Sequence, residues 1–406
     1  MHILLAKFIL KKYRPTVIAI TGSLGKTTVK YALRTVLAAS MSVYTSNASE
    51  NDADGACKAI LGGGGFARGV SLLLHRDAAY PRALLLEYGA DHVGDIENCM
   101  AVAQPDISIL TSLAPVHIDT LKTIERVTRE KSLVVQNGSR NGWSILCYDD
   151  ERVRALRSRA RGRVMTYGLS DAADVRAIEI SVDQEVREGE VVVKGTSFKL
   201  VYKGSAVPVH LPGVLGGQHI SAALAAAAAG IILEMNLVSI SQALATYTPT
   251  AGRMRLLSGI KHTLLVDDTY TASPTSVLAG LAGLDALAVK PGAEKFAVLG
   301  DMVSLGEYTI EGHREVGERV AEKGFDYLIT VGKLSRDIGR AAREKGMPEA
   351  QVYHFTTPEE AGRFIQDRLE QGDCVYVSGN ADLRMEKIVK EIMAEPMKAD
   401  GLLLQR

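Results

Sequence analysis

The stretch ITGSLGKTT, residues 20–28, constrains this chain more than any other. It follows a β-branched run, Val17–Ile20, and precedes the helical pattern TVKYALRTVLAA. A strand that ends in a glycine turn and restarts as a helix is the geometry of a phosphate-binding loop. The GxxGKTT spacing is one residue-pair shorter than GxxxxGK[ST], but the logic is the same. Gly22 and Gly25 let backbone N–H groups approach phosphates, with Ser23 between them. Lys26 places a cation on the β/γ-phosphates. Thr27 offers a hydroxyl to Mg²⁺, Thr28 follows it into the helix, and the helix N-terminus adds partial positive charge. The alternative, a glycine turn beside a surface lysine, does not account for the strand–loop–helix context.

The rest of the pattern fits an α/β protein of two or three domains, the count expected for 406 residues. Short apolar runs such as ALLLE (83–87) and ISILT (107–111) alternate with helical segments, which predicts parallel strands. Between about 174 and 203 strict alternation predicts a small antiparallel sheet flanking the parallel one. A second α/β unit begins near Gly252 after the linker TYTPTAGR, with strands at 262–267, 296–299, 327–331, 352–355 and 375–378. The expected division is an N-terminal helix at 1–14, a nucleotide-binding domain at 15–250 and a Rossmann-like domain at 251–406.

Lys+Arg and Asp+Glu are both 47, so a nucleic-acid partner, which needs a cationic surplus, is not expected. Cys57, Cys99, Cys147 and Cys374 form no CxxC pair and read as buried thiols in a reducing, cytoplasmic compartment. No stretch is long enough to span a bilayer, and Ser221–Leu233 reads as a buried helix. In MHILLAKFILKKYRP the charges follow the apolar part and no small-residue cleavage site appears. This predicts an amphipathic helix packed on the first domain, with weak membrane-surface contact through Lys11, Lys12 and Arg14 as the lesser reading.

Later blocks resemble the Mur ligase family, which joins amino acids or peptides to carboxylates. They are EYGADHVGDIE (87–97), LAPVHIDTLKTIERVTREKSLV (113–134), AGRMRLL (251–257), VDDTYTASP (266–274), VLGDMVSLGE (298–307) with His313, and GDCVYVSGNADLRMEKIV (372–389). The last ones are most similar to the branch that adds D-alanyl-D-alanine. The resemblance implies ATP and Mg²⁺, with two ions. Thr27, Glu87, His117 and a carbamylated Lys131 would hold them, and Lys26 would assist catalysis. It further implies nucleotide contacts from Arg253, Asp268 (or Asp267) and Tyr270, and from His219 in whichever register the GGQHISAALAAA segment takes. Asn47, Arg384 and Glu386 would touch substrate. Taken singly, each residue has a plainer reading: a core histidine, a solvated carboxylate, a surface charge.

Three departures from the family pattern stand out. Only some 15 residues precede the loop, where the family carries a domain that grips a UDP-sugar. NxNNEIGVP becomes SNASENDADGACKAIL (46–61), which puts Glu50-Asn51-Asp52 in place of Asn-Asn-Glu. KGSR becomes Ser378-Gly379-Asn380-Ala381, and YNANP becomes Tyr270-Thr271-Ala272-Ser273-Pro274. The expected reaction is ATP-dependent amide formation through an acyl phosphate, adding D-Ala-D-Ala or a similar short peptide or amino acid to a cell-wall peptide precursor. The alternatives are a related ligase with a poly-γ-glutamate-like, cyanophycin-like or lipid-linked substrate, or a non-catalytic nucleotide-binding regulator. The expected partners are small-molecule and peptide substrates, and monomer is the default state.

Overall fold

The computed structural model describes residues 2–46, 50–116, 118–187, 190–287 and 289–405. The chain divides into two compact units. Met1–Ile180, Phe198–His210 and Gln218–Tyr247 form the first; Ser181–Ser197, Leu211–Gly217 and Thr248–Arg406 form the second. The boundary expected at 250 falls at 247. Residues 181–197 and 211–217 join the second unit because Val182, Val193 and Leu215 pack with its core of Met254, Val266 and Leu281.

In the first unit Thr16–Thr21 pairs in parallel with Ala83–Glu87 on one side and Ile107–Leu110 on the other, Ile18 facing both Leu85 and Ile107. Val43–Thr45 lies beyond Ala83–Glu87, while Trp143–Cys147 and Arg163–Gly168 continue the other side. The strands are nearly continuous apolar runs, as burial on both faces demands. The chain leaves Thr16–Thr21 between two neighbours reached in opposite directions, so a crevice opens at the carboxyl ends of these three strands. Thr21, Glu87 and Leu110 end there. The alternating strands are not a separate flanking sheet. Val175–Arg187, Glu190–Tyr202 and Ser205–Pro212 extend the same nine-stranded sheet, entered through the pairing of Tyr167 with Val175. Their connections are too short for parallel crossovers.

The N-terminal helix, His2–Tyr13, buries Leu5, Ala6 and Ile9. Gly217–Ile232 is buried along its alanine run, and all four cysteines are buried and unbridged. No single helix among the described residues is long and apolar enough to cross a membrane. Ala53–Ile60 and Gly65–Leu74 reach that length only across a 46° bend.

The second unit is a six-stranded sheet in the order Arg255–Ser258, Leu264–Asp268, Cys374–Ser378, Lys295–Gly300, Tyr327–Val331, Val352–Phe355; all but the first are parallel. Alternate residues feed two cores. Val266, Ala297, Leu299 and Tyr376 pack with the helices Pro274–Asp285, Thr309–Glu322 and Arg336–Glu344. Leu265, Phe296, Val298, Val375 and Val377 pack with Pro358–Arg368 and Glu386–Ile392. The contact between Thr309–Glu322 and Arg336–Glu344 depends on Gly317. A Cβ there would lie 2.1 Å from the Ile338 carbonyl oxygen and 3.1 Å from Ala341 Cβ. Glycine to alanine inside a helix normally gains up to ~1 kcal/mol, but overpacking costs about 1–3 kcal/mol. Gly317→Ala should therefore lower the stability measured by denaturant titration, and a gain would contradict this packing.

Candidate active site

The phosphate loop is seated on the neighbouring strand. Ser23 N donates to the Ser112 carbonyl at 2.7 Å, Leu24 N to Ser112 Oγ at 3.1 Å, and Thr111 Oγ1 to the Leu24 carbonyl at 2.6 Å. Ser23 Oγ reaches the Ala114 carbonyl at 3.0 Å. Gly22 has φ 142°, and a Cβ there would fall 2.0 Å from Thr111 Oγ1, so no side chain fits. Gly25 differs: a Cβ would meet nothing, but its φ of 81° favours glycine. Gly25 caps the helix Lys26–Ala38 without any side-chain bond, which leaves the first-turn N–H groups for an anion. Lys26 Nζ lies back over the loop, 2.8 Å from the Gly22 carbonyl. Thr27 and Thr28 are buried just behind it.

Glu87 ends its strand opposite Ile20, at the foot of the loop, and Thr21 Oγ1 donates to the Tyr88 carbonyl at 2.7 Å. Its carboxylate is buried, and Lys30 Nζ stands 3.3 Å from Oε1, which takes no well-aimed hydrogen bond. Lys30 is fully buried and also donates to the Ser46 carbonyl at 3.0 Å. Burial pushes its pKa down, and the Glu87 charge opposes that. Sequence reasoning passed over Lys30, although its place one turn beyond Lys26 was a usable signal.

Lys131 lies on the helix Ile124–Gln136, buried, with Nζ 3.5 Å from the Ala90 carbonyl. Burial first, and the nearby Lys26 charge second, push it down to about 7. The structure therefore brings Lys131 and Lys26 into one electrostatic neighbourhood. The adjacent Glu130 accepts from Gly94 N and Ile96 N at 3.0 Å each, tying the loop after Glu87 to this helix. Asn47 and His117 lie outside the described residues. The replaced Glu50–Asp52 segment borders a cavity of about 490 Å³ lined by Asn51, Asp52, Asp54, Asp91, His92 and Asp95. Gly89 N donates to the Asn51 carbonyl there at 2.6 Å.

His219 is buried, with Nδ1 3.2 Å from the Tyr247 hydroxyl, so it sits inside the helix packing rather than at an open helix start. In the second unit Arg253 stacks over Tyr270, 4.2 Å from guanidinium carbon to ring centre. Asp268 is buried. Its Oδ1 accepts from Met254 N at 3.2 Å and its Oδ2 from the Tyr376 hydroxyl at 3.0 Å. Gly280 makes room for that hydroxyl, since a Cβ there would lie 2.2 Å from it. Asp267 closes the turn instead, accepting from Gly252 N and from Thr269 N and Oγ1. Arg384, at φ 61°, donates through Nε to Glu386 Oε1 at 3.1 Å, and Glu386 Oε2 is buried without a hydrogen-bond partner. His313 is a structural residue: Nε2 accepts from Met302 N at 3.0 Å, and Nδ1 faces the Thr309 carbonyl at 2.6 Å.

Residues 20–230 match the Mur ligase middle domain, and residues 252–381 match the Mur ligase glutamate ligase domain. The chain belongs to the Mur ligase family. The UDP-N-acetylmuramoyl-tripeptide–D-alanyl-D-alanine ligase (MurF) of Bacillus subtilis is 26% identical over 393 residues, covering 97% of this chain and 79% of the relative. That of Escherichia coli is 28% identical over 396 residues, covering 96% and 79%. MurF from Acinetobacter baumannii has a similar structure, with a TM-score of 0.77 at 24% identity, covering 97% and 79%. MurF ligase from Thermotoga maritima, solved with ADP, has a TM-score of 0.78 at 23% identity, covering 98% and 84%. At these identities the two structures speak to the Mur ligase fold.

Two tests follow from the buried charges. Lys30→Met leaves Glu87 uncompensated and should cost about 3–5 kcal/mol, much of it recovered when Glu87→Gln is added. A single-variant loss well below ~1 kcal/mol by denaturant titration would mean the pair is solvated. Asp268 is pushed up to about 7 by burial, with Arg253 and the Tyr376 bond opposing. Its folded-state pKa thus exceeds its ordinary 3.8. The stabilisation it contributes is complete below about pH 4 and fades as pH rises through about 7. The melting temperature of Asp268→Asn relative to the parent should therefore rise between about pH 5 and pH 8, and a flat difference would refute the shift.

Proposed function

We propose that this chain is an ATP-dependent carboxylate–amine ligase that adds D-Ala-D-Ala to a UDP-MurNAc-tripeptide in the cytoplasm. The observation that carries the reading is the clustering of an uncapped phosphate loop, Lys26, a buried Glu87 and a buried Lys131 at one crevice of the first sheet. The names of the relatives supply the substrate.

A divalent cation fits this crevice. Glu87 offers a buried carboxylate oxygen that takes no hydrogen bond, and Thr27 adds a hydroxyl. Among the described residues no three His, Cys, Asp or Glu side chains converge. Few protein ligands suit Mg²⁺, which keeps waters and shares phosphate oxygens. Thr27, Glu87, His117 and a carbamylated Lys131 would hold the ions. Bound Mg²⁺ would offset the repulsion between the γ-phosphate and an incoming carboxylate. Lys131 suits carbamylation because a buried amine near 7 is substantially neutral, and only the neutral amine attacks CO₂.

The chain's own groups do the rest. Loop and helix N–H groups, with Ser23 and Thr28 beside them, bind the β/γ-phosphates. Lys26 exchanges the Gly22 carbonyl for a phosphate oxygen. Arg253, Asp268 and Tyr270 are the proposed nucleotide contacts of the second unit. Asp268 is the proposed residue of the Asp pair by resemblance, and Arg253, the charge that opposes its burial, is in the same proposed set. His219 is the weakest of this set, being buried against Tyr247. A substrate carboxylate oxygen bonds to the γ-phosphorus and ADP leaves, giving the acyl phosphate. The amine nitrogen then bonds to the acyl carbon, phosphate leaves, and the nitrogen gives up its proton. Asn47, Arg384 and Glu386 are the proposed substrate residues. The carboxylate-lined cavity beside Asn51 and Asp52 favours a second reading, a related ligase whose peptide substrate differs.

Phosphate release and product mass with ATP, Mg²⁺, UDP-MurNAc-tripeptide and D-Ala-D-Ala test the proposal. Coupled turnover and the pentapeptide mass are expected; ATP binding without coupling favours the second reading. Lys131→Ala should lose at least about 100-fold in turnover and regain part of it with added short carboxylic acids, which replace the carbamate oxygens. Unchanged turnover would remove Lys131 from the machinery.

A further inference from the structure

The N-terminal helix has a second face that the ligase reading does not use. With 100° per residue, Leu5, Ala6 and Ile9 share the buried side. Ile3, Lys7, Lys11, Leu4 and Phe8 fan across the opposite one. Ile3, Leu4 and Phe8 are 46%, 64% and 59% exposed. The helix packs on Gly65–Leu74, where Leu5 fills the space over Gly69. Phe66, which meets the His2 ring at 6.0 Å, and Leu74 are also exposed. Large apolar side chains thus stand in water on both helices of one packed pair.

Along these two helices the charge has one sign. No Asp or Glu occurs before Glu50, and none between residues 55 and 76, in a chain whose Lys+Arg and Asp+Glu totals are equal. Lys7, Lys11, Arg14 and Arg76 are exposed. Lys12 is turned away from this face: its Nζ donates to the Leu72, Leu73 and His75 carbonyls at 2.8, 2.9 and 3.0 Å, closing the end of the second helix. Of the residues first suspected of membrane contact, Lys12 is therefore structural, and Lys7 takes its place beside Lys11. Apolar side chains interleaved with lysines, too short to span and free of carboxylates, have the make-up of an interfacial helix. A protein partner of ordinary composition would have to bury Lys7 and Lys11 against carboxylates of its own. A bilayer takes the apolar side chains while its anionic headgroups meet the lysines, which snorkel.

We propose that the exposed face of His2–Tyr13, with Phe66 beside it, docks the protein reversibly on an anionic membrane surface. The proposal is independent of the ligase reading, and its test needs no turnover. The full chain is sedimented with phosphatidylcholine vesicles and with vesicles also containing phosphatidylglycerol. It should bind the second and not the first, and it should be released at about 0.5 M salt, where screening is short-ranged. Lys7→Glu/Lys11→Glu should weaken binding by roughly 30-fold or more, and Phe8→Ser by about tenfold. All three substitutions are at exposed positions, so circular dichroism melts should match the parent and keep the comparison valid. Failure to sediment with phosphatidylglycerol vesicles, equal binding to both vesicle types, or parent-like binding of Lys7→Glu/Lys11→Glu would each overturn the proposal. A stable dimer that Phe8→Ser dissociates would overturn it in favour of a second copy as occupant.

Discussion

The phosphate loop does not hold its own shape; the strand end next to it does. Three bonds from Thr111 and Ser112, and a fourth contact at Ala114, fix a segment that has almost no side-chain substance. The same strand carrying the loop is in register with Ala83–Glu87, so loop and carboxylate keep one spacing. That rigidity is what lets N–H groups point at an anion without reorganising, the condition under which such groups stabilise charge most effectively. It also explains why Gly22 tolerates no Cβ: the loop is pressed onto Thr111 itself.

Around this seat the first unit buries Lys30, Lys131 and Glu87. Taking ions out of water costs several kcal/mol each, and a buried ion pair seldom stabilises a fold overall. Glu87 and Lys30 offset one another, but imperfectly, because Oε1 takes no proper hydrogen bond. Among the described residues Lys131 has no such partner at ion-pair distance, and its amine shifts toward neutrality instead. Unbalanced buried charge of this kind is tolerated where a ligand completes it. The crevice combines donors for an anion with one carboxylate for a cation, which is the complement of a metal-bound triphosphate.

Much of this was legible in the sequence because it is local. The strand–loop–helix at 16–38 declares itself through glycine, lysine and periodicity, and the family blocks place Glu87 and Lys131 by resemblance. What was not legible depends on residues brought together from far along the chain. Lys30 meets Glu87 from 57 positions away, and Tyr376 reaches Asp268 from 108 positions away through a gap left by Gly280. The alternating strands were legible as strands. Their joining to the parallel sheet was not, since it hangs on two paired positions at Tyr167 and Gly168. Asp268 was preferred to Asp267 by resemblance; the different partners that each carboxylate holds could not be read from the sequence.

The second unit shows how a motif can be retained as scaffold. Asp301 of the LGDM block accepts from Lys333 N, Leu334 N and Ser335 N, and so fixes a turn. Asn380, where the family has a charged KGSR segment, holds the Ala272 backbone and the Asp301 carbonyl. An asparagine so engaged braces two loops and brings no positive charge. At the end of the same block stands Arg384. Glu386 takes its Nε, and among the described residues no bond is formed by its terminal nitrogens. A guanidinium held at one nitrogen keeps the other two for a planar partner, the geometry that a carboxylate matches.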